Sequence, residues 1–470
     1  MLALRCFDAA SLISRSTASA IVALTLVGHL LEPAAEAQNV RGCRQCCPPG
    51  TSPSGSSMSP NGSTAPDGST SPDGTNGSQS TDPNAANDPN NRMLNPNDVF
   101  NDPSATDAQA GGATRIAANP GSIGDFFGSV AVPTRYIGGA GVIGTVGRGA
   151  TAPGPYSPLG GRQKLVEHDN PLPRDRAFIN YSYFKDVPLT DDGVHVNRTT
   201  FGVEKTFLDG MMSFQVRVPT VSTLNSDVQN NGPPDNRMSS DTDYQLGNVN
   251  LAAKLLVYQT DGFAMSVGTG VTLPTADDIN LYGNLGSVAL RYENQSVHVL
   301  PFIGFVMTPT DRCFSQLLVQ ADFDTNGNSA YATNAIGTME NIGRFQDATF
   351  LYASWTTGYW LIKEMCCGQI QHGLAPMFEV HYNRSLRQAD TASGILAGGG
   401  EFGIGEPNPG DVGGSVLGDF EAVNLTFGMH AQCSANCSLT FGYCVPAGGL
   451  SREDQFNGEA RVLFNYFFGR

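Results

Sequence analysis

Nowhere in the 470 residues is there a run of the ~18 apolar residues that a membrane-spanning helix needs. A helical membrane protein is therefore excluded. Charge is scarce as well: Asp, Glu, Lys and Arg make up 15% of the chain, against roughly 25% in an ordinary soluble domain. That scarcity excludes long charge-laced helices and coiled coils. Basic residues are fewer still, 27 Lys and Arg against 43 Asp and Glu, for a formal charge of −16. An isoelectric point near 4.7 excludes a basic groove, so no nucleic-acid partner is expected. What is plentiful is glycine, 55 residues of 470, where average usage of about 7% would give roughly 33. With abundant Asn and Thr, it describes a β protein joined to long irregular segments.

The first 37 residues read as a signal peptide. Arg5 and Arg15 supply the charged region, Ala18–Leu31 the apolar stretch, and Ala35-Glu36-Ala37 a small-x-small cleavage site. Residues 38–120 read as a low-complexity linker of Ser, Pro, Gly, Asn and Asp. A degenerate hexamer recurs in it: Pro60-Asn61-Gly62-Ser63, Pro66-Asp67-Gly68-Ser69, Pro72-Asp73-Gly74-Thr75. Each unit is a proline-initiated turn. With little to bury, the stretch is expected to stay disordered, an extended spacer. Residues 121–170 form a Gly-rich, partly ordered segment in which Ile123-Gly124-Asp125-Phe126-Phe127-Gly128 is able to dock on a surface. Gly139-Ala140-Gly141-Val142-Ile143-Gly144 matches a dinucleotide fingerprint only formally. It lacks the preceding strand, the helix and the acidic residue downstream.

From residue 171 to 470 the chain alternates with period two. Phe214, Val216 and Val218 oppose Ser213, Gln215 and Arg217. Leu251, Ala253 and Leu255 oppose Asn250, Ala252 and Lys254. Val423, Leu425, Phe427 and Met429 oppose Asn424, Thr426, Gly428 and His430. Twelve strands are predicted, at about 177–184, 194–207, 211–221, 247–258, 263–273, 297–308, 313–324, 348–361, 372–384, 421–431, 437–447 and 456–468. Short turns such as Leu208-Asp209-Gly210 alternate with long polar connections at 222–246, 274–296, 325–347 and 385–420. Short turns on one side and long loops on the other characterise a transmembrane antiparallel up-and-down β-barrel. Each strand is long enough to cross at a tilt, which takes ~9–11 residues. In a soluble sandwich large apolar side chains from both sheets would fill a core. Here the face opposite the apolar one is Gly, Ser, Thr and Asn, which suits a polar lumen. Aromatics near strand ends, among them Phe207, Tyr258, Tyr359 and Trp360, suit interfacial girdles.

The hairpin from Leu246-Gly247-Asn248-Val249-Asn250-Leu251 through Val267-Gly268-Thr269-Gly270-Val271-Thr272-Leu273-Pro274 resembles one found in outer-membrane proteins of the meta-pathway of phenol degradation. The resemblance covers about residues 171–470 and implies a barrel that passes hydrophobic compounds inward. The terminal Val462-Leu463-Phe464-Asn465-Tyr466-Phe467-Phe468 resembles the strand that outer-membrane insertion machinery reads, although Gly469 and Arg470 follow it. The implied partners are outer-membrane lipid, that insertion machinery and a small hydrophobic solute. The implied location is the outer membrane, with the linker on the periplasmic side.

Ten cysteines occur, and Cys6 leaves with the signal peptide. Cys43, Cys46 and Cys47 follow the cleavage site, while Cys313, Cys366, Cys367, Cys433 and Cys437 fall in or beside short turns. In an oxidising compartment these eight are candidate disulfide cysteines, with pairing left open. The spacings Cys43-x-x-Cys46 and Cys433-x-x-x-Cys437 also suit a metal, yet no metal and no cofactor is expected.

Charged and imidazole side chains on the polar face are expected to line the lumen: Arg198, Glu204, Arg217, Lys254, Glu379, His381, His430, Glu459 and Arg461. They either tune the selectivity of an open passage or form a salt-bridged network that fills it. No catalytic residue stands out. None of His298, His381 and His430 is followed by Ser two positions on, as a barrel lipase would require, and Asp277-Asp278 has no histidine placed with it. Asp322-x-Asp324-x-Asn326-Gly327 opens like a calcium loop, but its twelfth position is Thr333 rather than Glu. The reading is a non-enzymatic passive channel or transporter for small or hydrophobic solutes. The alternatives are a structural, adhesive or envelope-tethering β protein, and a barrel-borne hydrolase.

Overall fold

Residues that alternate between two unlike environments form strands whose two faces differ. In the computed structural model twelve such segments close into a ring. They are β1 Arg176–Val187, β2 Val194–Phe207, β3 Met212–Val221 and β4 Asn250–Gln259. β5 Phe263–Thr272, β6 His298–Met307, β7 Cys313–Asp324 and β8 Thr349–Tyr359 follow. β9 Gln369–Arg387, β10 Glu421–Ser434, β11 Cys437–Gly448 and β12 Gly458–Phe467 complete the set. The structure describes residues 119–125, 134–137, 162–187, 194–222, 227–230, 238–240, 244–282, 288–334, 336–366, 369–387, 390, 392–395, 401–404, 421–448 and 456–468. The expected signal peptide, nearly all of the linker and the Gly139–Gly144 motif lie outside the described residues. No helix occurs among those described.

Every strand pairs antiparallel with its successor, and β12 returns to β1 from Arg176↔Phe467 to Lys185↔Gly458. The fold is thus a closed twelve-stranded up-and-down barrel. Closure leaves no sheet edge and satisfies the ladder within the wall, the condition for strands in hydrocarbon. One rim carries the short turns and both ends of the ring. At Leu208-Asp209-Gly210 all three residues have positive φ, 50°, 53° and 84°. Three consecutive left-handed residues reverse the chain sharply, a conformation that favours glycine and that Asp tolerates better than most residues.

Burial is inverted relative to a soluble protein. On β3, Phe214 and Val216 are 50% and 43% exposed, whereas Ser213, Gln215 and Arg217 are buried. Phe201, Leu251, Trp355, Phe427, Phe441 and Tyr466 also face outward. Arg176, Arg198, Lys254, Glu204 and Glu379 are all 2% exposed or less. A sandwich core would reverse both sets. Trp360 departs from the girdle expected of it. It is buried at the short-turn rim, with its ring 6.0 Å from Phe314 and 5.6 Å from His430, over Gly373.

Three of the long connections, expected as irregular loops, instead build a second sheet at the opposite rim. Its six strands are Asp227–Asn230, Met238–Ser240, Ile279–Tyr282, Val288–Tyr292, Asn328–Thr333 and Met339–Phe345. Their backbone groups pair across connections, which offsets part of the entropy of ordering so much polar chain. A third sheet joins Ala392–Ile395 and Glu401–Ile404, from the β9–β10 connection, to Thr134–Ile137 of the N-terminal segment.

Candidate functional site: the filled lumen

Twelve strands enclose more space than their own side chains fill in smaller barrels. Two pieces of the N-terminal segment occupy that space. Residues 119–125 ascend from the short-turn rim. The carbonyl of Asn119 accepts from Arg174 Nη2 at 2.5 Å near the start of β1, and that of Pro120 from Gln316 Nε2 at 2.5 Å. Higher up, Asp125 Oδ2 accepts from Asn383 and Asn424, each at 2.9 Å. Thr134–Ile137 then pairs with a strand from the long-loop side. Residues 162–175 descend from Arg162, beside Asp322 and Asp347, to Arg176 and β1. The expected boundary between a Gly-rich segment and a barrel at 170/171 therefore falls inside one continuous lumen element.

The wall and the plug are charge-complementary. Toward the long-loop rim the wall is acidic and the plug basic: Arg162 Nη1 lies 2.9 Å from Asp322 and its Nη2 contacts Asp347. Within the plug, Lys164 pairs with Asp125 at 2.5 Å. Toward the short-turn rim the signs reverse. Asp169 Oδ1 lies 2.5 Å from both Arg176 Nη2 and Lys254 Nζ, and its Oδ2 lies 2.9 Å from Arg217 Nη2. Glu167 meets Arg198 at 2.7 Å. Such pairs stand because partners and hydrogen bonds replace the lost water. Removing one partner of a buried pair costs about 3–5 kcal/mol.

Backbone contacts add register to this electrostatic fit. Glu379 accepts from Ile123 N at 2.8 Å and from Gly124 N at 2.9 Å, while His381 Nε2 lies 3.1 Å from its Oε2. Arg461 Nη1 donates to the Ile123 carbonyl at 2.7 Å, and its Nε contacts Glu459. Arg217 donates to the carbonyls of Lys164 and Leu165, each at 2.9 Å. The apolar tip of Ile123 rests where Gly428 and Gly442 carry no side chain. A Cβ at Gly428 would stand 2.2 Å from Ile123 Cδ1. The expected docking of the Ile123 segment is against the inside of its own barrel.

All nine residues expected to line the lumen are buried and point inward. Arg217, Lys254 and Glu204 gather around Asp169. Arg198, Glu459 and Arg461 gather around Glu167, and Glu379 and His381 hold the ascending arm. His430 stands apart, with Nδ1 2.7 Å from Thr440 Oγ1. Arg176, Gln316, Gln320, Asp322, Asn383 and Asn424 share the inner wall with them. Arg176 begins β1 in phase with inward Phe178, Asn180 and Ser182, one residue before the expected start of that strand. The plug charges left a trace too: Arg162, Lys164, Glu167 and Asp169 occupy half of eight successive positions in a chain that is 15% charged.

Cys313, Cys433 and Cys437 are free thiols at the short-turn rim, and free Cys444 is buried in the wall. Cys43, Cys46, Cys47 and Cys367, together with the side chain of Cys366, lie outside the description. Among the described residues no group of three His, Cys, Asp or Glu is placed to hold a metal. The calcium-like loop is an Asp-capped turn instead. Asp324 Oδ1 accepts from Asn326 N at 3.0 Å and Gly327 N at 2.8 Å, and Asp322 serves His298 and Arg162.

No protein family and no curated protein matches the chain. Among solved structures it is similar to the NanC porin (8% identity, TM-score 0.34, covering 63% of this chain and 100% of that one). It is also similar to the β domain of the Bordetella autotransporter BrkA (10%, 0.37, 63% and 100%). A third is the P. putida toluene transporter TodX (10%, 0.30, 63% and 90%). Likeness at this level leaves the fold resting on the strand pairing and the inverted burial.

Proposed function

We propose that the chain is an outer-membrane channel or transporter for small or hydrophobic solutes. It works by diffusion without turnover chemistry, and its own N-terminal segment closes it at rest. The observation that carries the reading is the composition of the lumen. A polar wall is filled by a separate stretch of chain that ion pairs and hydrogen bonds hold in place. A barrel built only as a scaffold needs no more than the roughly eight strands whose own side chains fill it, whereas a plug seated by non-covalent contacts closes a passage that opens when the plug shifts. The apolar outer belt suits lipid, and the aromatic end of β12 suits recognition by barrel-insertion machinery. The signal peptide and linker fit export, with the linker entering from the short-turn, periplasmic rim.

Heat-modifiable gel migration tests the membrane barrel, and conductance in planar bilayers tests the passage. Brief openings by the full chain, lengthened when plug contacts are weakened, support the channel. The filled lumen also favours one second reading, a structural or tethering barrel. Silence of both the full chain and its plug-weakened variants would favour it.

A further inference from the structure

The plug presents a carboxylate and a flat ring side by side, and the wall receives each separately. Asp169 is enclosed by Arg176, Arg217 and Lys254 at 2.5 to 2.9 Å. Its neighbour His168 lies edge-on to Phe178, with ring centroids 5.1 Å apart. Neither His168 nitrogen has a hydrogen-bond partner. The imidazole therefore serves as a flat filler, not as a polar contact. Phe178 in turn lies under Arg176, 4.5 Å from its guanidinium carbon, and its ring passes over Gly202, where a Cβ would stand 2.1 Å away.

The cationic cage belongs to the wall, and wall partners hold part of it: Gln215 accepts from Arg217 Nε at 2.9 Å. Glu204 of β2 ties Arg176 Nε of β1 and Lys254 Nζ of β4 at 2.9 Å each, which holds the two cations together across the inner face of the wall. Three wall cations against one wall carboxylate leave 3 − 1 = +2 in a chain whose total is −16. Buried like charges at such a density need an anion. Guanidinium groups aimed at one point, backed by an ammonium, are the donor set for a carboxylate. Further cage donors hold plug carbonyls: Arg176 that of His168 at 2.8 Å, and Lys254 that of Asn170 at 3.0 Å.

We infer that the Arg176–Arg217–Lys254 cage, with Phe178 beside it, is a binding site for small aromatic carboxylates, and that His168-Asp169 occupies it as an internal surrogate. A solute carboxylate competes with Asp169, so cargo binding and release of the descending arm are one exchange. Coupling to passage rests on the channel reading above, whereas the site itself does not.

The experiment separates the two. Full-length protein in detergent, checked for heat-modifiable migration, is titrated calorimetrically with benzoate. Asp169→Gly vacates the cage and is expected to bind benzoate about tenfold or more tightly than the parent, in which the tethered carboxylate competes. Adding Arg217→Gln and Lys254→Gln removes that binding, and benzyl alcohol binds none of the proteins appreciably. For a measurement without any variant, hydrogen exchange of residues 163–170 in the parent chain accelerates with benzoate but not with equal ionic strength of chloride. Equal benzoate affinity with and without the cage residues, or exchange that follows ionic strength alone, overturns the site. If benzoate binds the cage but no protein conducts in bilayers, the site stands and the channel reading fails.

Discussion

Arg461 of β12 closes over Gly124 of the ascending arm so tightly that a Cβ on Gly124 would stand 2.7 Å from Arg461 Nη1. The backbone at Gly124 has φ +88°, and the Glu167 Cα is 3.0 Å from the same point. An alanine there meets both a crowded contact and a conformation that costs a side chain about 1–3 kcal/mol. Gly124→Ala is therefore expected to displace the ascending arm while the wall stays closed. Heat-modifiable migration should be unchanged, and trypsin cleavage after Arg162 or Lys164 should become at least tenfold faster. Unaltered cleavage would show that the arm is not seated as described.

The wall was legible in the sequence and the plug was not, for a physical reason. An apolar outer face and a polar lumen face impose period two on every strand of the wall, as Ser213 to Val218 display. The plug meets partners on all sides, so it carries no period, and its contacts join residues as distant as Ile123 and Arg461. Charge density at Arg162–Asp169 was its trace, and that alone did not place it inside the barrel. The outer sheet escaped because strands such as Asp227–Asn230 and Ile279–Tyr282 are short. Trp360 escaped because a rim tryptophan suits lipid headgroups and an inner rim pocket equally well.

Facing predicts an asymmetry between adjacent residues of β3. Val216 points outward and Arg217 into the lumen, where it holds Asp169. Val216→Arg should destabilise the vesicle-folded protein by about 2–4 kcal/mol, the cost of an arginine near the bilayer midplane. Val216→Ala should cost far less. Urea titration of vesicle-folded protein reads the difference, and equal effects would place β3 outside the membrane.

Glu379 offers both of its oxygens to consecutive amides of Ile123 and Gly124. Glu379→Ala leaves these buried donors without their acceptor, at about 1–3 kcal/mol. Amide exchange at Ile123 and Gly124 should rise about tenfold to a hundredfold, since 1.4 kcal/mol corresponds to tenfold. Exchange in β3, across the ring from β9, should be unaffected. A uniform rise across all strands would assign Glu379 to general barrel stability instead of plug seating.

Asp347 lies between the outer sheet and β8, buried beside Arg162 of the plug. Burial pushes its carboxyl up to about 6 from the usual 3.8. The carboxylates of Asp324 and Asp322 push the same way, against Arg162 and His298. With a folded value above the unfolded one, the folded protein holds a proton that the unfolded chain releases. The contribution to stability is therefore complete below about pH 4 and is lost as pH rises through about 6, at up to about 1.4 kcal/mol per unit. Other carboxylates titrate in that range, so the reading is a difference between two proteins. Relative to Asp347→Asn, the parent chain should gain thermal stability in detergent as pH falls from 6.5 to 4.5. Parallel curves for the two proteins across that window would mean that Asp347 titrates like an exposed carboxylate, and that the Arg162 end of the plug is open to water.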